Sequence, residues 1–140
     1  AEKWLDVRLW PTPTSCAEHL KAEGYRIVAT HLDDAAVPID TLDFTQPTAL
    51  VFGNELHGLT PEMVALADQT CIVPMAGFTQ SFNISVAAAV CLYHARRDRV
   101  ARQGHHGDLP DDLCQALRAL YCLRSVKHPE AIIERMLEEK

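Results

Sequence analysis

Residues 48–61 read TALVFGNELHGLTP, and they carry the clearest structural pattern in the chain. The first five residues form a continuous apolar-rich run, which is typical of a strand buried on both faces of a parallel sheet. Gly53 breaks that run, and Thr60 followed by Pro61 supplies the cap and the first residue of a helix. A strand, a tight polar turn and a capped helix predict an α/β domain whose ligands bind at the carboxyl ends of the strands.

The rest of the chain continues the alternation of strands and helices. Apolar patterning predicts further strands, and capping residues with helical periodicity predict further helices. The predicted strands are 4–10, 25–30, 48–52 and 71–73, and the predicted helices are 17–23, one starting at 61, 83–102, about 110–124 and 129–140. Residues 33–46 are polar and contain proline, so we expect them to be irregular. This order predicts a single domain over 1–140, with a parallel sheet flanked by helices.

The composition restricts the class of protein. The 140 residues are 48% hydrophobic and 23% charged, which is a globular balance. No apolar run reaches the roughly 18 residues that span a bilayer, so no membrane partner is expected. The longest apolar-rich stretch, residues 84–93, is predicted to be a buried helix. The net charge of −6 gives no general attraction to nucleic acid, so we expect any nucleic-acid contact to come from a local basic patch or from a part of the protein outside these residues.

The five cysteines are scattered through the chain, and no two of them have metal-ligand spacing. We therefore expect no metal site and interpret them as small apolar side chains in a reducing compartment. An intracellular location follows, with the cytoplasm first and the chloroplast or mitochondrion also compatible. The chain opens at Ala1 without a starting methionine and already in a strand-like pattern. This suggests a piece of a longer protein.

Two stretches could carry chemistry. In the first, Gly53 and Gly58 have the spacing of a phosphate loop, but Leu59 stands where that loop requires lysine. A tight turn that needs glycine for its backbone angles is the alternative. In the second, residues 73–89, a loop enters a helix whose first turns carry Asn83 and a nearby serine. Such a helix start can hold a polar ligand, or it can simply be a capped helix.

Both stretches, in this order, closely resemble motifs two and three of the SpoU–TrmH family of RNA 2′-O-methyltransferases. GNELHGLT at 53–60 matches the family pattern Gly-Asn/Gln-Glu-x-x-Gly-Leu/Ile-Ser/Thr. VPMAG at 73–77 and SFNISVA at 81–87 match Ile/Val-Pro-Met-x-Gly and Ser-Leu-Asn-Val-Ser-Val-Ala, with Phe82 and Ile84 as conservative departures. The resemblance covers roughly residues 4–99.

The resemblance implies a SPOUT-type, trefoil-knotted α/β fold that binds S-adenosylmethionine in the knot and forms a homodimer. The helix that starts at Asn83 is then a plausible interface element. Glu55 and Asn83 match the family's polar catalytic positions, Glu55 holding the loops and Asn83 supporting the RNA or the catalytic arrangement. The positions that match the family's cofactor site are Thr30, Gly53, Val73, Met75, Ser81 and Phe82.

The reaction that the resemblance implies is methyl transfer from S-adenosylmethionine to a ribose 2′-hydroxyl of RNA, most often tRNA and possibly rRNA. In this family an arginine of motif one is proposed to activate that hydroxyl, and the chain begins after the point where this motif should lie. A non-catalytic cofactor-binding or dimerisation subunit of the same fold is therefore the alternative. A generic α/β nucleotide-binding domain explains the strand order but not the two motifs.

The chain's basic cluster consists of Arg96, Arg97, Arg99 and Arg102, near His105 and His106. The cluster could contact RNA phosphates. It also lies near the C-terminus of a predicted helix, where the helix dipole stabilises cations, and we favour this second interpretation.

Overall fold

The computed structural model describes residues 4–78 and 81–138. The chain forms two compact units, one comprising Trp10–His106 and the other comprising Ala1–Leu9 with Gly107–Lys140. The larger unit contains the whole sheet and three helices, and the smaller unit contains the last two helices. That residues 1–140 act as one domain stays a prediction.

A four-stranded parallel sheet forms the centre of the larger unit. Its strands are β1 (Arg26–Thr30), β2 (Val37–Pro38), β3 (Thr48–Val51) and β4 (Gln69–Ile72), arranged in the order β2-β4-β1-β3. All three strand pairs are parallel, which confirms the predicted sheet type. The trefoil knot that the resemblance implies stays a prediction.

Strand β1 is central because it pairs with β3 on one side and β4 on the other. Ile27, Val28 and Ala29 are each 0% exposed, as expected for a strand covered on both faces. The register pairs Ala29 with Val51 and Thr30 with Cys71. The carboxyl ends of these three strands therefore lie side by side at one edge of the sheet.

The described part of the chain contains five α-helices, which follow from local capping and periodicity. The larger unit holds α1 (Pro13–Ala22), α2 (Pro61–Leu66) and α3 (Ile84–Gln103), and the smaller holds α4 (Asp111–Ser125) and α5 (Pro129–Glu138). Thr60 caps α2 as predicted, its Oγ1 accepting a hydrogen bond from Met63 N at 3.2 Å. Within residues 4–78 and 81–138, no helix has the length and hydrophobicity that crossing a membrane requires.

The strand predicted at residues 4–10 is wrong. These residues form a short turn followed by irregular chain, and none belongs to the sheet. Leu5, Val7 and Leu9 are 59%, 64% and 94% exposed, so the alternating pattern buries neither face. A strand requires a neighbour to accept its hydrogen bonds, and residues 4–10 pair with no strand of the described chain.

The stretch 33–46 is more ordered than predicted. It contains β2 and a 3-10 turn, Ile39–Thr41, and it supplies Ile39, Leu42 and Phe44 to the core at 4%, 3% and 3% exposure. Its polar residues face outward while these three apolar side chains pack on Val28 and the two buried cysteines. Few residues of this stretch are large and apolar, so the sequence did not predict that it contributes to the core. Three buried side chains are enough to hold the stretch against the sheet.

Helix α3 is not the buried helix that residues 84–93 predicted. Only Cys91 is buried, whereas Val86, Val90, Leu92 and Tyr93 are 47%, 37%, 61% and 60% exposed. Apolar side chains project from more than one face of α3, but the larger unit covers only one of these faces. Val86, Val90 and Tyr93 share one face of α3 by their spacing, and an exposed apolar face is the kind of surface that partners cover.

Candidate functional site

A cavity of about 590 Å³ opens at the carboxyl edge of the parallel sheet. It lies in the position where open α/β sheets bind their ligands, and its size is within the range of small-molecule sites. Four segments build it: the end of β1, the turn after β3, the end of β4 and the start of α3. The lining residues are 30–32, 52–55, 58–59, 71–73, 75, 81–84, 87 and 91.

The turn after β3 is held by hydrogen bonds within itself. Asn54 N donates to Gly58 O at 3.1 Å, and Gly58 N donates to Asn54 O at 3.0 Å. The side-chain Oδ1 of Asn54 accepts from the N–H groups of Leu56 and His57 at 3.0 and 2.6 Å. The turn therefore keeps its shape without a ligand, and that shape presents Glu55 to the cavity.

Both glycines of this turn are required by its geometry. A Cβ at Gly53 would lie 2.2 Å from the carbonyl carbon of Gly58 and 2.5 Å from Leu59 N, which are main-chain atoms that cannot give way. Gly58 has space around it, but its φ of +67° is a conformation that L side chains rarely adopt. The phosphate-loop interpretation fails, and the glycines instead allow the turn to fold back on itself.

Asn83 and Glu55 join the two stretches that the sequence singled out. The Nδ2 of Asn83 donates a hydrogen bond to Oε1 of Glu55. Its Oδ1 accepts from Ser85 N at 3.0 Å, which makes Asn83 the N-cap of α3. The capped-helix interpretation of residues 83–85 is therefore correct, and the same side chain also borders the cavity.

The floor of the cavity is small and apolar. Cys71, at the end of β4, and Cys91, on α3, are both 0% exposed, and both line the cavity from below. Burial raises the pKa of the Cys71 thiol to about 11, and the neighbouring Cys91 adds to the effect. Burial also raises the pKa of Cys91. Both thiols therefore stay protonated and behave as apolar groups at neutral pH.

The cavity's charge is negative. Glu55 is the one carboxylate among the described lining residues, and no lysine or arginine stands among them. Thr30 contributes a hydroxyl, but its Oγ1 already donates to Val51 O at 2.9 Å, leaving it as an acceptor. An anionic ligand such as a nucleotide phosphate would find no countercharge here, whereas a cation would find a carboxylate.

All eight predicted site residues line this one cavity. They are Thr30, Gly53, Glu55, Val73, Met75, Ser81, Phe82 and Asn83. Sequence reasoning missed the floor formed by Ala87, Cys91 and Cys71. The spacing of 83, 87 and 91 places these positions on one face of a helix, and this spacing could have revealed the first two. Two residues within the second stretch, Thr79 and Gln80, lie outside the residues that the structure describes.

The basic cluster is partly structural. Arg99 Nη1 donates to Phe44 O at 2.7 Å, and Arg102 Nε donates to Asp98 Oδ1 at 2.7 Å. Phe44 N in turn donates to Asp98 Oδ2 at 2.9 Å. Burial alone would raise the pKa of Asp98, but the hydrogen bonds from Arg102 and Phe44 outweigh it and lower that pKa. These contacts hold α3 against the loop before β3. Arg96 and Arg97, by contrast, are exposed.

Comparisons with known proteins agree with this geometry. The chain is 46% identical over 99 residues to the tRNA (guanosine(18)-2′-O)-methyltransferase of Escherichia coli K12, a match covering 71% of this chain and 43% of that protein. The crystal structure of the A. aeolicus TrmH/SpoU tRNA modifying enzyme matches with a TM-score of 0.73 and 34% identity, over 89% of this chain and 64% of that one.

A third match is the SpoU methyltransferase AviRb from Streptomyces viridochromogenes in complex with AdoMet. Its TM-score is 0.59 at 34% identity, over 65% of this chain and 38% of that one. The chain spans about half the length of the curated relatives it matches, with 43%, 47% and 52% of the proteins from E. coli, Aquifex aeolicus and Thermus thermophilus covered. A profile of the SpoU rRNA Methylase family matches residues 1–93. The chain belongs to the SpoU rRNA methylase family.

Proposed function

We propose that this chain binds S-adenosylmethionine in the cavity at the sheet edge and serves methyl transfer to a ribose 2′-hydroxyl of RNA. The observation that carries the proposal is the convergence of both family motifs on one cavity, where Asn83 is hydrogen-bonded to Glu55. The names of the relatives support it, since they are tRNA and rRNA 2′-O-methyltransferases. A related structure with AdoMet bound supports the choice of cofactor.

The residues present fit this cofactor. S-adenosylmethionine combines a sulfonium cation, an uncharged adenosine and an amino-acid end that carries one ammonium and one carboxylate, and it carries no phosphate. The cavity offers the carboxylate of Glu55 toward a cation, the apolar floor of Cys71 and Cys91 toward a flat or aliphatic group, and no lysine or arginine among its described lining. This charge pattern disfavours the generic nucleotide-binding alternative, because only the start of α3 could stabilise a nucleotide phosphate and no cationic side chain stands among the described lining residues.

The proposed roles follow from where each residue lies. Thr30, Val73 and Met75 border the cavity from the strand ends, Gly53 lets the turn close beside it, and Ser81 with Phe82 border it from the segment before α3. When bound, the cofactor supplies an activated methyl group on sulfur. Glu55 would hold the loops and face the sulfonium, and Asn83 would support the RNA, because both side chains are polar, exposed and hydrogen-bonded to each other.

An enzyme must activate the ribose hydroxyl, whereas the alternative, a non-catalytic cofactor-binding or dimerisation subunit, need not. A 2′-hydroxyl is a weak nucleophile and must be polarised or deprotonated in line with the methyl group. No arginine lines the cavity among the described residues, and Glu55 is engaged by Asn83. We therefore propose that this chain by itself binds cofactor but transfers methyl groups slowly, and that the complete reaction needs a further cationic group.

The proposal also covers the substrate, the oligomeric state and the location of the protein. We propose tRNA as the substrate, on the ground of the relatives' names. We propose a homodimer because the exposed face of α3 carries Val86, Val90 and Tyr93, which a second copy would cover. A cytoplasmic, reducing location agrees with five cysteines that are all free thiols.

The test is calorimetric titration of S-adenosylmethionine and S-adenosylhomocysteine into the chain. We expect one saturable site per chain for both. Phe82→Asp places a carboxylate against the cavity wall and should weaken binding at least tenfold, whereas the matched control Phe82→Leu should stay within about threefold. Binding of neither compound by the folded chain would remove the cofactor assignment, and the interpretation as a dimerisation subunit would replace it.

In the same titration, Glu55→Gln tests whether the carboxylate of Glu55 contacts the sulfonium. Glutamine keeps an oxygen that can accept from Asn83 Nδ2 but removes the negative charge. An exposed charge pair contributes up to about 1 kcal/mol, so the variant should lose about two- to fivefold more affinity for the cationic methyl donor than for neutral S-adenosylhomocysteine. Equal losses for both compounds would argue that Glu55 does not face the sulfonium.

A further inference from the structure

We propose that Phe78 is a stacking platform for an unpaired base of the RNA, beside the nucleotide whose ribose enters the cavity. The inference rests on the proposed function, since it assumes that the cavity holds the methyl donor. Phe78 is 106% exposed, so its ring lies entirely in solvent. A planar aromatic ring with no protein neighbour can accept a base on either face.

Position, rather than exposure alone, distinguishes Phe78. Leu9 is 94% exposed as well, and single exposed apolar residues are common. Phe78, however, stands three residues after Met75 and three before Ser81, and both of these line the cavity. Its neighbour Gly77 has a φ of +127°, a conformation that L side chains rarely adopt, with open space around it. Phe78 therefore lies, in sequence, between two residues of the cavity's lining and directly after a glycine turn.

A second apolar side chain stands on the turn that borders the same cavity. Leu56 is 82% exposed, and it lies between Glu55 and Gly58, which both line the cavity. The hydrogen bond from Asn83 to Glu55 ties this turn to the segment that leads into α3. An unpaired base beside the cavity therefore has an aromatic ring available on one loop and an aliphatic side chain on the other.

Stacking also suits the charge of this chain. The net charge is −6, and the cavity's described lining contains no lysine or arginine. Attraction to phosphates is therefore weak at the point where the nucleotide must be held. Contact between a base and an aromatic ring needs no countercharge and tolerates any base. It can thus supply local affinity without the basic surface that the composition lacks.

A protein partner is the less favoured occupant of this ring. Protein interfaces bury continuous apolar surface, and the larger unit offers that on α3, through Val86, Val90 and Tyr93. The residues just before Phe78 are Ala76 and Gly77, which add almost no apolar area to it. An isolated aromatic ring on the segment between Met75 and Ser81 fits a base better than it fits a protein surface.

The experiment measures RNA binding to the chain saturated with S-adenosylhomocysteine. The probe is a short single-stranded oligoribonucleotide that carries 2-aminopurine, whose fluorescence falls when it stacks. We expect Phe78→Ala and Phe78→Leu each to weaken binding about tenfold and to abolish the quenching. Phe78→Trp should bind within about twofold of the unmodified chain. Leu9→Ala, at a highly exposed apolar position that is not among the cavity's lining residues, should change nothing.

Parallel titrations separate this inference from the proposed function. Phe78→Ala should bind S-adenosylhomocysteine with unchanged affinity, because Phe78 is not among the lining residues. Unchanged RNA affinity in Phe78→Ala, with cofactor binding intact, would overturn the stacking role alone. Failure of the unmodified chain to bind the oligonucleotide would overturn it as well. A weaker dimer without an effect on RNA would assign Phe78 to a protein interface, and absence of cofactor binding would overturn the proposed function itself.

Discussion

Asn83 connects helix α3 to the turn after β3, because its Nδ2 donates to Oε1 of Glu55 while its Oδ1 accepts from Ser85 N at 3.0 Å. One side chain therefore serves both as a helix cap and as a bridge between the two sequence motifs. The two functions use different atoms, so substitutions can separate them.

Asn83→Asp should separate capping from bridging. Aspartate keeps an acceptor for Ser85 N, and caps of either kind are about equally good, so the melting temperature should fall little. It loses the donor and brings a second carboxylate against Glu55, so affinity for S-adenosylhomocysteine should fall about tenfold. Differential scanning fluorimetry and calorimetric titration measure the two effects.

The matched control removes a cap that does not border the cavity. Thr60→Ala deletes the hydroxyl that accepts from Met63 N and should cost about 1 kcal/mol of stability. Its affinity for S-adenosylhomocysteine should stay unchanged. If Asn83→Asp binds as tightly as the unmodified chain, the bridge to Glu55 has no part in shaping the cavity.

Gly53→Ala should damage the cavity through the main chain. The added Cβ would lie 2.2 Å from the carbonyl carbon of Gly58, so the turn must open. We expect a loss of at least 2 kcal/mol in stability, by analogy with overpacking, and about a tenfold or greater loss of cofactor affinity. Urea unfolding and calorimetry test this. Gly107→Ala, where a Cβ meets nothing within 4 Å, should change neither quantity.

The buried thiol of Cys71 should make the chain less stable in alkali. Burial raises its pKa from 9.0 to about 11, so the folded chain holds this proton to a higher pH than the unfolded chain does. The resulting stability is fully present below pH 9 and is lost as the pH rises toward 11. The loss should be on the order of 2 kcal/mol. Urea midpoints between pH 8 and pH 11 measure it.

Cys71→Ala is the control for this pH dependence. It removes the titrating group at the cost of a small void, so its stability should start lower but fall less between pH 9 and pH 11. Other groups titrate in the same range. The contribution of Cys71 is therefore the difference between the pH-dependent stabilities of the unmodified chain and of Cys71→Ala. Parallel curves for the two chains would show that the Cys71 thiol is not the source.

Asp98 should stabilise the chain at neutral pH and lose that effect in acid. Its carboxylate accepts from Phe44 N and from Arg102, and its pKa is lowered below 3.8. The contribution is therefore present above pH 3.8 and disappears as the pH falls through the lowered value. Asp98→Asn should cost about 1 kcal/mol at pH 7 and progressively less toward pH 3.

The comparison variant is Asp6→Asn. Asp6 also pairs with an arginine, Arg8, but the two side chains are 77% and 61% exposed. Exposed pairs of this kind contribute little, so the change in stability should be close to zero at every pH. Equal effects of the two substitutions would contradict the assignment of Asp98 as the anchor between α3 and Phe44.

The success of the sequence-based predictions follows the range of the interactions involved. Thr60 with Pro61, and Asn83 before α3, mark helix starts through contacts with residues two or three positions away, and both were located correctly. The apolar run at β3 and the run at β1 also became strands. Residues 4–10 have an equally regular pattern, yet no neighbouring strand is available to them, and periodicity cannot supply one.

By itself the sequence determined the starts of α2 and α3 and the strands β1 and β3, because capping and backbone preference depend on near neighbours. The tertiary structure decided the rest. It placed Ile39, Leu42 and Phe44 in the core and left one face of α3 uncovered. It also brought Glu55 to Asn83 across 28 positions of the chain. Burial and pairing depend on residues that are far apart in sequence, and only the folded chain brings them together.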